Sequence, residues 1–140
     1  MTLRFPLQAR SGAASFLCGA GGSQLFVGLF VNPLTYSDDV QLSDLVPPSN
    51  PDYAPYNSAL WEGPTQDTNG DAYFLSPALT WTRGPGGTGE TVHGYYVTQG
   101  PPAADNLLAL DLLVNPVPFV APASVVSLYP IKVSLRGLLY

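Results

Sequence analysis

The sequence predicts an all-β chain, an antiparallel β-sandwich, jelly-roll-like, with an extended N-terminal arm. Three observations lead there. Runs of β-branched and aromatic residues, about seven or eight of them, alternate with turn signals. The 140 residues contain 15 prolines and 14 glycines, interleaved with those runs, which excludes a helical bundle. No stretch carries a convincing helical period. A chain of this length suits one hydrophobic core, so it divides into an arm, residues 1–24, and a single sandwich domain, residues 25–140.

The arm contains no acid, two arginines (Arg4 and Arg10) and the flexible Gly19-Ala20-Gly21-Gly22 stretch. Its apolar residues Leu3, Phe5, Leu7, Phe16 and Leu17 need burial. Either they are buried against a neighbouring chain, which makes the segment an assembly arm, or the terminus is frayed. An export signal is disfavoured, because Pro6, Gln8 and Ser11 interrupt the apolar stretch such a signal needs. Gln24 to Val31 is a buried strand closed by Asn32-Pro33. From Thr35 to Pro64 the chain holds half of its acids among five prolines, which predicts an irregular surface loop with one short turn near Val40 to Leu45. A strand resumes near Ser58 to Trp61. The loop tyrosines Tyr36, Tyr53 and Tyr56 provide anchors that a disordered segment lacks.

Asp67-Thr68-Asn69-Gly70-Asp71 is a turn, followed by strands at Ala72 to Leu75 and Ala78 to Thr82, broken at Pro77. The glycine-dense Gly84 to Gly89 loop predicts a hairpin between the second of these and Thr91 to Thr98. After Gly100-Pro101-Pro102, the apolar run Asn106 to Val114 reads as a central strand. In the last strand Tyr129, Ile131, Val133 and Leu135 alternate with Pro130, Lys132, Ser134 and Arg136, so the first four should face inward.

Composition narrows the function classes. Charged residues are 11% of the chain and the net charge is −5, which disfavours nucleic-acid binding. No apolar run reaches the length of a membrane-spanning helix. Cys18 is the sole cysteine and His93 the sole histidine, a poor basis for zinc or for a nucleophile and base pair. The 67–71 turn resembles a calcium loop but lacks the downstream glutamate. The glycine loop at 84–89 has no phosphate-loop lysine. The acid pairs Asp38-Asp39 and Glu62/Asp67 have no informative spacing as a glycosidase pair. No catalytic, cofactor-binding or metal residue is therefore assigned, no cofactor is expected, and the chain reads as a non-enzyme.

The block Thr91-Val92-His93-Gly94-Tyr95-Tyr96-Val97-Thr98, with Asn106 to Asp111, Pro116-Val117-Pro118-Phe119, the terminal strand and the Leu29 to Thr35 opening, resembles small virion structural proteins of tailed bacteriophages. The chain departs from that pattern at Ala109, where an aromatic is expected, and at Ala121 to Ser124, where a Gly-Asp turn is expected. The resemblance implies a virion protein assembled in the host cytoplasm, built as a homo-oligomer onto the major capsid protein or onto tail proteins. Its first implied role is capsid decoration or cement. The alternative is a tail-fibre or baseplate module binding a host receptor or glycan, and a third reading is a β accessory domain outside any virion. Scarce charge and eight tyrosines suit a large apolar interface. Tyr36, Tyr53, Tyr56, Trp61 and Trp81 are the candidate interface or stacking residues.

Overall fold

A computed structural model describes residues 25–56, 62–66, 68, 72–86, 88–103, 106–120, 123–128 and 131–134. The arm (Leu3, Phe5, Leu7, Phe16 and Leu17), the expected strand at Ser58 to Trp61, and Tyr129 and Leu135 lie outside these residues. The described chain is mostly β and antiparallel, and it is not a closed barrel. Its strands are β1 (Leu25–Phe30), β2 (Glu62–Gln66), β3 (Ala72–Leu75), β4 (Leu79–Thr82), β5 (Glu90–Gln99), β6 (Leu107–Phe119), β7 (Val125–Leu128) and β8 (Lys132–Ser134). They form sheets in the orders β1-β5-β6, β2-β3-β8 and β4-β7.

The β1-β5-β6 sheet is buried on both faces, which explains why β1 reads as a continuous apolar run instead of an alternating one. One face packs Leu25, Val27, Leu29, Val92, Tyr95 and Val97 against Leu79 and Trp81 of β4 and Val126 and Leu128 of β7. The other face packs Phe30, Tyr96, Leu107 and Leu110 against Val40 and Leu45, with Leu34, Tyr36 and Leu42 at its margin. Part of the acidic loop is thus a second layer of core, beyond its expected role as surface. Its short turn is a 3₁₀ segment, Leu42–Asp44. The Asp44 carboxylate accepts from Gln41 N at 2.9 Å. The Asn32 amide ties the turn to the end of β1, donating to Asp44 O and accepting from Val46 N, each at 2.8 Å.

The two faces depend on where parity changes along β6. Between the Val92↔Val117 and Gly94↔Leu112 pairs, four residues of β6 lie opposite one of β5, so a large bulge carries Leu113 to Pro116 off the ladder. Pro116 is accommodated there, because a bulge needs no ladder N–H. A second irregularity near Leu108 lets Leu108 and Ala109 enter one core while Leu107 and Leu110 enter the other.

Four expectations are corrected. The predicted hairpin between β4 and β5 does not form: β4 pairs with β7, and β5 pairs with β1 and β6. The pattern of β4 and β7 is alternating, Leu79/Trp81 and Val126/Leu128 inward, so each has one buried face, whereas β5 requires two. The central strand of the large sheet is β5, with β6 beside it, and β6 continues past Val114 to Phe119. Within the expected last strand, Tyr129 to Leu135, Lys132–Ser134 forms β8, which pairs with β3, and a strand that was not expected, β7, precedes it and pairs with β4. Ile131 between them is buried, held by Ile131 N donating to Ser76 Oγ at 2.7 Å and Ser76 N donating to Ile131 O at 2.9 Å. Finally, Glu62 to Gln66, read as the end of a loop, is β2, with a register shift that accommodates Pro64.

Candidate functional site

An edge strand must satisfy its outward N–H groups or leave them open to another chain. Along β1 and just past its end, three of these groups are met. Val27 N donates to Tyr56 O at 3.0 Å, Leu29 N to the Tyr53 hydroxyl at 2.7 Å, and Val31 N to Val46 O at 2.8 Å. The 46–56 segment is thereby laid along β1. It is also pinned to β4: Trp81 Nε1 donates to Ala54 O at 3.1 Å, and the Tyr56 hydroxyl makes a short hydrogen bond to Thr80 O.

Between this segment and β4 lies a cleft of about 300 Å³, lined by residues of the loop (Asn50, Asp52, Tyr53, Tyr56), β4 (Thr80, Trp81, Thr82) and Phe119 of β6. Trp81 is 6% exposed and belongs to the core, meeting Tyr56 edge to face with ring centroids 4.9 Å apart. Tyr56 is 39% exposed and is the more open of the two. Asn50 is buried. Its Oδ1 accepts from Asp52 N at 3.4 Å and its backbone carbonyl from Tyr53 N at 3.0 Å, while its Nδ2 has no hydrogen-bond partner. The Asp52 carboxylate lies over Gly84, so close that a Cβ at that position would meet Oδ2 at 1.9 Å.

Behind the cleft, Arg83 is fully buried. Its guanidinium pairs with Glu90 at 3.3 Å and donates to Gly86 O at 2.9 Å and Thr88 O at 2.8 Å. It also lies 5.5 Å from the centre of the Phe119 ring. Glu90 in turn accepts from Ser49 N at 3.0 and 3.1 Å. One buried ion pair thus holds the glycine loop, the start of β5 and the loop segment leading to Asn50.

Three phenols are held neutral. Burial raises Tyr53 far above the ordinary 10.0, helped by the neighbouring Tyr96 and opposed by the Leu29 N–H. Burial, then the Asp111 charge, raises Tyr95, whose hydroxyl reaches Asp111 Oδ2 at 3.4 Å. Burial also raises Tyr96, whose phenol shares a hydrogen bond with Tyr53.

Of the five candidate interface or stacking residues, Tyr53, Tyr56 and Trp81 meet at the cleft. Tyr36 packs on the opposite face of the large sheet, and Trp61 lies outside the described residues. His93 is half-buried on β5 and is not among the residues lining the cleft. Asn50, Asp52, Thr80, Thr82 and Phe119 were not singled out by sequence reasoning, nor was the Arg83–Glu90 pair. For that pair a signal existed: an isolated arginine and glutamate flanking a glycine-rich loop. Among the described residues no group of three His, Cys, Asp or Glu side chains is placed to hold a metal, and no helix is long and apolar enough to cross a membrane. No protein-family model matches the chain, and comparison with curated proteins and with solved structures returns no match.

Proposed function

We propose that the chain is a non-enzymatic virion structural protein, a jelly-roll-like sandwich that decorates or cements a phage head by binding the major capsid protein. The observation that carries the reading is the β6 bulge. It carries Val114 off the ladder and leaves this apolar side chain 92% exposed to solvent. Val46, Val120 and Val125 are also exposed, on a chain with little surface charge. Apolar side chains on a charge-poor surface are what the core of a protein interface requires. The resemblance of the Thr91 to Thr98 block to phage virion proteins directs the reading to a shell, and residues 1–24 would serve as an arm clamping a neighbouring subunit.

The test is binding of the purified chain to pre-formed, expanded capsids. Binding should persist at high salt, because screening weakens charged contacts and leaves apolar ones in place. Val114→Asp should weaken it by about tenfold or more while leaving the melting temperature unchanged, since a single well-packed interface residue contributes on the order of 1–2 kcal/mol. A chain that ignores capsids yet adsorbs to host cells would instead be a tail-fibre or baseplate module.

A further inference from the structure

The cleft between the 50–56 loop and β4 is charged at one end and aromatic at the other. At the first end the Asp52 carboxylate lies over Gly84, where the lack of a Cβ leaves room for it. At the second the Tyr56 hydroxyl is fixed on Thr80 O, and Tyr56 meets Trp81 edge to face. Thr80 and Gly84 are four residues apart along β4 and its continuation, a separation on the order of 13 Å in extended chain. Thr82 lies between them and lines the cleft with the others. Asp52, Tyr56, Thr80 and Thr82 are exposed, so the rim of the cleft is open along its length.

The charged end has no counter-charge. Among the described residues Asp52 makes no ion pair. The Arg83 guanidinium behind the cleft does not serve it, because that group is committed to Glu90, Gly86 O and Thr88 O. An open carboxylate attracts a cation and repels an anion, but in water that attraction alone is small. Apolar and cation–π contact with the aromatic end adds to it only for a ligand long enough to use both ends. A compact cation meets one end. A cation on an apolar stem meets both, and that is the build of an arginine or lysine side chain. A volume of about 300 Å³, at the small end of ligand sites, accommodates one such side chain.

We propose that this cleft receives a basic side chain, arginine or lysine, presented by a protein partner: its charged head on the Asp52 carboxylate, its stem along Thr82 and against Tyr56. The site is separate from the shell-binding surface at Val114, and it does not rest on the virion reading.

The test uses the full chain and the N-acetyl methylamides of arginine, lysine and citrulline, followed by saturation-transfer NMR and by titration of tryptophan fluorescence. At least one of the two cationic amides should bind with roughly millimolar affinity, as expected of a small polar ligand, and the tighter of the two names the head group. Binding should weaken at high salt, the opposite of the behaviour expected at Val114. Asp52→Asn, which keeps the shape of the side chain, should weaken it by about tenfold or more, the loss of a hydrogen bond to a charged acceptor. Gly84→Ala is the second variant. The three atoms nearest its Cβ all belong to the Asp52 side chain, whose end can move, so the carboxylate is displaced without a change in melting temperature and the same ligand is weakened. The proposal is overturned if neither cationic amide binds, if neutral citrulline or compact tetramethylammonium binds as tightly, if high salt leaves the affinity unchanged, or if either variant retains it in full.

Discussion

Gly28 and Gly94 each lie opposite an aromatic residue on the neighbouring strand. Tyr96 crosses Gly28, and Phe30 crosses Gly94, in directly paired positions. Neither glycine is there for a turn: the ring occupies the space a side chain would fill. A Cβ on Gly94 would meet the backbone oxygen of Asp111 and the Phe30 ring, both at 2.3 Å, whereas on Gly28 the three nearest atoms all belong to the Tyr96 side chain, the first at 2.3 Å. Gly94→Ala should therefore lower the urea midpoint more than Gly28→Ala, the two costs falling within about 1–3 kcal/mol. Tyr53 extends the same arrangement to the sheet edge. Tyr53→Phe removes the acceptor of Leu29 N–H and should cost about 1–3 kcal/mol. Its burial also sets a pH dependence. The unfolded chain releases phenolic protons near 10.0, while the folded chain holds those of Tyr53, Tyr95 and Tyr96 to higher pH. Their contribution is present in full below 10 and is lost as pH rises above it. Denaturant midpoints should fall between pH 10 and 12, at a slope of up to about 1.4 kcal/mol per pH unit per tyrosine, and Tyr53→Phe should reduce that slope.

At the scale of elements, the glycine loop between β4 and β5 shows how a local signal was overridden. Glycines following a strand suggest a tight hairpin, and that expectation considered only the loop's backbone freedom. In the folded chain the loop wraps the Arg83 guanidinium, and Arg83 N donates to Ser124 O at 2.8 Å while Ala123 N donates to Arg83 O at 2.9 Å. The latch directs β4 toward β7 and releases β5 into the large sheet. Arg83→Met leaves Glu90 partly buried without its partner and should destabilise by about 3–5 kcal/mol, whereas Arg83→Met with Glu90→Leu should recover much of that loss. Thermal melts of the two variants and the parent check the order. The difference should vary little between low and high salt, because a buried pair is weakly screened.

For the whole molecule, the decisive feature is that one sheet has two covers. The β4-β7 sheet covers one face, and the 31–46 segment with its 3₁₀ turn covers the other. The second cover should behave as core. Leu45→Ala should cost about 2–5 kcal/mol, as buried leucines do, and should increase dye binding at the Phe30–Tyr96 face and protease cleavage within the 31–46 segment. If Leu45→Ala is neutral in denaturant melts, this segment is an appendage and not a layer.

The positions of β1, β3, β4, β5 and much of β6, and the 3₁₀ turn, were legible in the sequence, because β-branched and aromatic runs between proline and glycine breaks report local preference. The antiparallel all-β class followed from the same pattern. Pairing was not legible. The alternation in Leu79 to Thr82 states that one face is buried, but not that Val126 and Leu128 are the residues opposite, since partner choice is settled by contacts remote in sequence. The bulge at Leu113 to Pro116 read as the end of the strand, because Asn115-Pro116 is a break signal and nothing local states that β6 resumes at Val117. The cleft was half legible: Tyr53, Tyr56 and Trp81 stood out as aromatics, while Asn50 and Asp52 looked like ordinary turn residues. Only the tertiary structure decided that the Asn50 turn lies beside β4, because the edge of β1 needed its N–H groups covered and Tyr53, Tyr56 and Val46 supplied the acceptors.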